Sequence, residues 1–211
     1  MTSVEIVTED GERLEGRWDS APVSTMGLVF CHPHPLQGGT MTAPLMSAVT
    51  HTLTETGFTV FRFNFRGVGA STGTHGSGIS EIEDVDSAVR YARAQHPDLP
   101  FAIAGWSFGA ATALKWQARS GSNWPYAGIA PPVTSDLSPT LPDRDELEPA
   151  ARTFILGDRD QFTTIDELTS YAASIDATVE ILKGSDHFFY FREDRVAGLL
   201  VEAVQHPAAP C

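Results

Sequence analysis

The chain has 211 residues, of which 42% are hydrophobic and 19% are charged, and its 27 acidic and 14 basic side chains give a formal net charge of -13. This length and composition predict one globular domain over residues 1–211. An acidic surface repels phosphate backbones and anionic lipids, so we expect neither a nucleic-acid partner nor a membrane partner.

The N-terminus and the cysteines bear on the compartment of the protein. The first segment, MTSVEIVTEDGERLEG, carries acidic residues where a secretory signal needs a basic start and an apolar stretch. No run approaches the roughly 18 apolar residues that cross a bilayer. Two cysteines, Cys31 in an apolar run and Cys211 at the end, are too few for a disulfide framework. We therefore expect a cytoplasmic protein, with Cys31 as a small core residue.

Strand patterns recur along the whole chain. VEIV and RLEGRW alternate apolar and polar residues on either side of the turn signal Asp10-Gly11, which predicts an N-terminal hairpin at a sheet edge. Short apolar runs then predict further strands, most of them followed by a segment with helical spacing. The predicted strands are Met26–Cys31, Phe58–Phe65, Phe101–Gly105, Tyr126–Ala130, Arg152–Gly157 and Thr178–Lys183.

Helical segments alternate with these strands. Ser80 with Glu83, and Thr164 with Glu167, fit the capping-box pattern before two of the helices. The alternation predicts an α/β fold with a mostly parallel sheet, helices on both faces, and a site at the carboxyl ends of the strands. Residues 131–149 carry five prolines and are expected to form a loop or a minimal flap. The predicted helices cover residues 43–56, 82–96, 108–120, 165–174 and 190–206.

Two stretches match the pattern Gly-x-Ser-x-Gly, namely GWSFG around Ser107 and GASTG around Ser71. A nucleophile elbow needs a strand that ends at the first glycine and a helix that begins just after the serine. The segment FAIAGWSFGAATALKW supplies both, whereas no helical period follows Ser71. Ser107 is therefore the predicted nucleophile and Ser71 a loop residue. Side chains at Gly105 and Gly109 would collide with the neighbouring helix and strand.

A serine nucleophile needs a base, which in such a fold follows it in the chain. Only two histidines lie beyond Ser107. His206 precedes Pro207 near the end of the chain and suits a helix C-terminus. His187 follows the last predicted strand, where a site residue belongs, so His187 is the predicted base.

The acid that orients the base should lie between the serine and the histidine. Asp160 follows the strand that ends at Gly157 and lies far enough into the loop to reach His187. We prefer it to Asp158, which suits a turn. Asp136 is a weaker candidate, and Asp186 is too close to His187 in sequence to orient it well.

The loop CHPHPLQGGT after the first parallel strand has two interpretations. His32 and His34 alternate like a pair of metal ligands, but further ligands with convincing spacing are missing, so we predict no metal and no cofactor. Alternatively, the loop forms half of an oxyanion hole whose first donor is the main-chain N–H of Phe108. The two prolines have no N–H to donate, which leaves His34, Leu36 or Gln37 as the second donor. We favour Leu36.

Six stretches together resemble a small, lidless branch of the α/β-hydrolase superfamily with an HPHP loop: HPHPLQGGTM, FRFNFRGVGAS, GWSFGAA, IAPPV, GDRDQF and GSDHFF. The likeness runs from about residue 28 to residue 191. It implies an eight-stranded hydrolase sheet and a triad of Ser107, Asp160 and His187. Trp106 departs from the smaller or phenyl residue common beside the nucleophile. Lids of this superfamily often follow the strand that ends near Ala130, where only residues 131–149 are available, so we expect no cap domain.

These residues predict a serine hydrolase that cleaves a small-molecule ester of a small or medium acyl group through an acyl-enzyme. His34, Trp106 and Phe188 are the candidate substrate-binding residues, although aromatic residues at such positions are more often core. A thioesterase, peptidase or acyltransferase would use the same triad. The alternative from another class is a binding protein of this fold without activity.

Overall fold

The computed structural model describes residues 2–205, so His206 and Cys211 lie outside the described residues. Of the eight strands in these residues, the first two form an N-terminal hairpin, and five helices alternate with most of the remaining six. The strands are β1 (Thr2–Val7), β2 (Arg13–Ser20), β3 (Met26–Cys31), β4 (Phe58–Phe63), β5 (Phe101–Trp106), β6 (Tyr126–Ile129), β7 (Arg152–Gly157) and β8 (Thr178–Leu182). The helices are α1 (Pro44–Glu55), α2 (Glu81–Gln95), α3 (Phe108–Ser120), α4 (Ile165–Ser174) and α5 (Glu193–Gln205).

The strands form one sheet in the order β1-β2-β4-β3-β5-β6-β7-β8. The hairpin strands β1 and β2 pair antiparallel, and β2 pairs antiparallel with β4. Every other pair in the sheet is parallel. The predicted α/β-hydrolase fold, with eight strands and an edge hairpin, is therefore confirmed.

Burial explains why the central strands have continuous apolar runs. All residues of β3, β4, β5 and β6 are buried, as expected for strands covered on both faces by helices. Edge strand β8 instead alternates between exposed and half-buried residues as far as Ile181 and ends at the buried Leu182. Helix α1 packs beside α5, and α2 packs beside α3. Because strands β3 to β8 run parallel, their carboxyl ends lie at the same edge of the sheet.

The two predicted capping boxes have different outcomes. Thr164 and Glu167 form the box at the start of α4, with the Glu167 N–H donating to the Thr164 hydroxyl at 3.2 Å. The box predicted at Ser80 is wrong, since the Ser80 side chain makes no capping hydrogen bond. Ser80 has helical backbone angles, with φ -69° and ψ -28°, whereas a capping residue usually has extended ones.

Helix α5 begins at Glu193, three residues after the predicted start at residue 190. Phe189 and Phe191 have φ angles of 55° and 62°, in the left-handed region that interrupts a right-handed helix. Residues 131–149 contain one short 3-10 turn, Arg144–Glu146, and no α-helix or strand. None of the five helices in the described chain has the length and apolar character needed to span a bilayer.

Candidate active site

Ser107 occupies the sharp turn between strand β5 and helix α3. Its backbone angles, φ 54° and ψ -120°, lie in a region that residues other than glycine rarely adopt. Its N–H donates to the Ile129 carbonyl at 2.7 Å, and its own carbonyl accepts from the Ala110 N–H at 2.9 Å. Hydrogen bonds to the next strand and to the helix therefore hold Ser107 in this conformation.

The two glycines of GWSFG allow the close approach that this turn requires. A Cβ atom on Gly105 would lie 2.3 Å from the Gly109 carbonyl, at the start of α3. A Cβ atom on Gly109 would lie 2.4 Å from the Cys31 carbonyl oxygen, at the end of β3. The structure thus confirms the predicted collisions with the neighbouring helix and strand.

Ser71, in the other Gly-x-Ser-x-Gly match, lies in the loop between β4 and α2. Its hydroxyl donates to the Asn64 carbonyl at 2.8 Å and accepts from the Glu15 N–H at 2.9 Å. The residue is buried, and these bonds tie the loop to strand β2. The interpretation of Ser71 as a loop residue is confirmed.

Asp160 and His187 come together from the loops after β7 and β8. The Nδ1 atom of His187 lies 2.8 Å from Oδ2 of Asp160, and both side chains are almost fully buried. Oδ1 of Asp160 accepts the main-chain N–H groups of Phe162 and Thr163 at 2.8 and 3.1 Å. These donors hold the carboxylate so that it faces the imidazole. Because Nδ1 donates to the carboxylate, Nε2 is the nitrogen left to accept a proton.

The other aspartates considered as the acid have different partners. Oδ1 of Asp158 accepts the Gly184 N–H at 2.6 Å, which ties the loop after β7 to the loop after β8. Oδ1 of Asp186 accepts the N–H of Phe188 at 3.0 Å. Asp136 lies exposed in the segment 131–149. The structure therefore pairs His187 with Asp160, as the sequence analysis favoured.

Two further side chains position His187: Gln161, which the sequence analysis missed, and Trp106, which it considered only for substrate binding. Oε1 of Gln161 accepts the His187 N–H at 3.2 Å. Nε1 of Trp106 donates to the His187 carbonyl at 3.2 Å, and this bond links the elbow to the histidine loop. Gln161 stands beside Asp160 in the motif GDRDQF, which is the signal that could have identified it.

The hydrogen bonds of the HPHP loop distinguish the three candidates for the second oxyanion donor. The Leu36 N–H donates to Nδ1 of His34 at 3.1 Å, so this amide is already used within the loop. The Gln37 N–H donates to the His34 carbonyl at 3.1 Å. Of the three candidates, only the His34 N–H has no hydrogen-bond partner among residues 2–205, and the Phe108 N–H has none there either.

The imidazole of His34 packs beside the elbow, against two other rings. Its centroid lies 5.1 Å from the Phe108 ring and 5.0 Å from the His75 ring. Burial, together with the nearby His75, lowers the pKa of His34 and favours its neutral form. Nδ1 of His75 lies 2.7 Å from the buried carboxylate of Glu81. The sequence analysis did not identify His75 or Glu81, because nothing in their local pattern places them beside the HPHP loop.

His32 is bound on both sides of its ring. Its Nε2 accepts the Phe65 N–H at 3.0 Å, and its Nδ1 lies 2.6 Å from the Pro33 carbonyl oxygen. The ring is fully buried. Nε2 of His32 therefore joins the loop after β3 to the loop after β4, while Nδ1 contacts its own loop.

A cavity of about 340 Å³ opens at this edge of the sheet. Ser107 and His187 both line it, and so do the three candidate substrate-binding residues. Leu36 does not line the cavity, and its side chain is exposed. The segment 132–138 forms part of one wall. The cavity therefore brings the predicted nucleophile and base together beneath the proline-rich loop.

The carboxyl edge of this eight-stranded sheet carries a serine at a strand-turn-helix elbow and a histidine paired with a carboxylate. These features define an α/β hydrolase of the serine hydrolase type. The model of a family described as serine aminopeptidase, S33, matches residues 29–140. The chain belongs to this family.

Known proteins support this classification. Uncharacterized protein RP471 of Rickettsia prowazekii (strain Madrid E) is 31% identical over 196 residues, which cover 86% of this chain and 80% of that protein. The structure of XC6422 from Xanthomonas campestris, described as an a/b serine hydrolase without lid, has a TM-score of 0.85 and 28% identity, and the match covers 99% of this chain and 96% of that one. An alpha-beta serine hydrolase homologue from Coxiella burnetii has a TM-score of 0.83 and 28% identity, covering 95% and 96% of the two chains.

Proposed function

We propose that the protein hydrolyses carboxylic esters of small or medium acyl groups through a covalent acyl-enzyme. The observation that carries the proposal is the buried pair of Asp160 and His187, 2.8 Å apart, on the cavity that Ser107 also lines. A buried carboxylate at Nδ1 fixes the tautomer of the histidine and stabilises its protonated form. A binding protein without activity would not need that pair beside an elbow serine.

The reaction assigns one role to each member of the proposed triad. Nε2 of His187 removes the hydroxyl proton of Ser107 as Oγ attacks the ester carbonyl, which gives a tetrahedral intermediate. The protonated histidine then gives that proton to the leaving alcohol, and an acyl-serine is formed. A water molecule, activated by the same nitrogen, attacks the acyl-serine and releases the acid. Asp160 keeps its charge throughout.

The oxyanion of the tetrahedral intermediate needs two donors on the opposite side of the pocket. We assign these to the main-chain N–H groups of Phe108 and His34, because neither has another partner in the described chain. This assignment replaces Leu36, whose N–H is held by the His34 ring. The neutral state favoured by burial keeps the His34 imidazole from adding a fixed charge there.

The cavity supports the choice of substrate size. A volume of about 340 Å³ is at the lower end of the range for small-molecule sites. Trp106 and Phe188 stand edge to face at 6.3 Å and offer an apolar wall for an acyl chain. Short and medium acyl esters are therefore the first substrates to test, with a thioester and an aminoacyl anilide as comparisons for the related chemistries.

A fluorophosphonate probe tests the nucleophile directly. We expect the wild-type protein to be labelled, Ser107→Ala to lose the label, and Ser71→Ala to keep it. Ser71→Ala is the matched control because it alters the second Gly-x-Ser-x-Gly match, away from the cavity. A panel of p-nitrophenyl esters of rising acyl length should then show a maximum rate at a short or medium chain.

Two outcomes would overturn the proposal. Labelling that survives in Ser107→Ala would place the nucleophile elsewhere. A folded wild-type protein that takes no label and cleaves no ester would favour a binding function.

A further inference from the structure

The charge on the cavity wall is of one sign. Of its lining residues, Glu193 is the carboxylate, and no lysine or arginine of the described chain lines the cavity. His34, whose pKa burial lowers, adds no fixed positive charge. A substrate that carries a carboxylate or phosphate away from its ester would therefore find no basic partner in the wall.

Glu193 is itself without a partner. It is half-buried at the first position of helix α5, and within residues 2–205 its side chain forms neither an ion pair nor a hydrogen bond. Two acidic side chains elsewhere in the protein are paired by contrast, Glu81 with His75 and Glu146 with Lys115. Partial burial of an unpaired carboxylate costs free energy that a bound cation would offset.

Aromatic rings line the same cavity as Glu193. Phe188 and Tyr190 stack with their centroids 5.7 Å apart, and both line the cavity. Trp106 meets Phe188 edge to face on the side of Ser107. The face of an aromatic ring attracts ammonium groups, most strongly where water is displaced. A cavity lined by a carboxylate and such rings is a suitable environment for an alkylammonium group.

We propose that the cavity selects esters that carry a positively charged amine or quaternary ammonium group, with Glu193 as the residue that determines this specificity. The inference rests on the proposed esterase function and names the substrate class of that same site. The ammonium group lies on the acyl or the alcohol part, away from the carbonyl that Ser107 attacks. The net charge of -13 adds to the selection by concentrating cations near the surface.

Two pairs of isosteric esters test the proposal from both sides of the ester bond. The first pair is the p-nitrophenyl ester of γ-trimethylammoniobutyrate and its uncharged analogue, in which carbon replaces nitrogen. The second pair is butyrylcholine and its uncharged carbon analogue. For each pair, the ratio of kcat/KM for the cationic ester to that for the neutral ester is measured in the wild type, Glu193→Gln and Asp194→Asn. Asp194 is the matched control: it lies in the same first turn of α5, but it is exposed and does not line the cavity.

We expect the ratio in at least one pair to fall about tenfold in Glu193→Gln, the scale of a charge-assisted contact. It should stay unchanged in Asp194→Asn, and kcat/KM for the neutral esters should change little in that variant. Equal ratios in the wild type and Glu193→Gln for both pairs would overturn the inference, and so would an equal fall in both variants. Hydrolysis of the neutral esters with equal ratios would refute only the cation selection, whereas absence of both labelling and hydrolysis would refute the esterase itself.

Discussion

His34 contributes its main chain and its side chain to different parts of the site. Its ring accepts the Leu36 N–H and closes the turn after β3, while its own N–H is the proposed second oxyanion donor. The backbone angles of His34, φ -53° and ψ 121°, are close to those that proline adopts in an extended chain. A proline at this position would therefore remove the N–H while it keeps the course of the backbone.

His34→Ala and His34→Pro separate these two contributions. Both variants lose the imidazole, but only His34→Pro loses the N–H. We expect kcat for an ester to be about a hundredfold to a thousandfold lower in His34→Pro than in His34→Ala, the usual effect of one oxyanion donor. Steady-state kinetics on one p-nitrophenyl ester, with circular dichroism to confirm folding, measures this difference. Equal kcat values in the two folded variants would show that the His34 N–H is not an oxyanion donor.

The choice of the second donor shows where the sequence was insufficient at the residue scale. The prolines of the HPHP loop have no N–H to donate, which left three amides as candidates. The proposed choice between them depends on two acceptors of His34, since its ring binds the Leu36 N–H and its carbonyl binds the Gln37 N–H. A polar residue directly before a turn of this kind is a familiar capping group, and that signal was present in the sequence.

The loops after β3 and β4 are joined by His32 at the scale of secondary-structure elements. Nε2 of the ring accepts a hydrogen bond from the loop after β4, and Nδ1 contacts the carbonyl of Pro33 in the loop after β3. The two loops therefore leave the sheet in fixed directions. Burial lowers the pKa of His32 from an ordinary 6.5 to about 4. Protonation of this ring would therefore require the connection to open.

The stability of the protein should fall in acid because of His32. Between pH 6.5 and about pH 4 the unfolded chain holds the extra proton and the folded chain does not, so the free energy of unfolding decreases as the pH falls through this window. At about 1.4 kcal/mol per pH unit, the decrease amounts to about 3 kcal/mol. Urea unfolding at a series of pH values should show this slope in the wild type and a flatter one in His32→Gln.

His51→Gln is the control for that experiment, since His51 is an exposed histidine on α1. It should keep the wild-type slope. If His32→Gln has the same slope as the wild type, the buried ring is not responsible for acid destabilisation.

Elements with strong local signals were predicted best. Helix α4 begins where its capping box begins, and α3 starts directly after the elbow serine. The start of α5 was placed too early, because the positive φ angles of Phe189 and Phe191 are not apparent from the sequence of two aromatic residues. Where a conformation depends on contacts with the rest of the chain, a local pattern does not reveal it.

At the scale of the whole molecule, the site lies where the chain changes direction across the sheet. After β3 the chain moves to β4 on one side, and then returns past β3 to β5 on the other. The loop after β3 and the elbow after β5 therefore stand next to each other, which is the place where ligands bind in such sheets. The sequence predicted parallel strands and a site at their ends, but the order of the strands comes only from the structure.

The backbone of Ser107 has a consequence for the stability of the whole molecule. Holding a residue other than glycine at φ 54° and ψ -120° costs on the order of 1–3 kcal/mol. Glycine relieves this strain. The greater backbone entropy of glycine in the unfolded chain offsets about 0.5–1 kcal/mol of the resulting increase in the free energy of unfolding. We therefore expect Ser107→Gly to be about 1 kcal/mol more stable than Ser107→Ala in urea unfolding. At Ser71, which does not have a positive φ, the glycine variant should be the less stable one.

If Ser107→Gly were less stable than Ser107→Ala, the turn would not be strained. If the expected order is found, activity and stability are opposed at this position, as they often are at functional sites. Selection for stability alone would then replace the serine with glycine. The presence of serine would mean that selection for its hydroxyl outweighs the loss of stability.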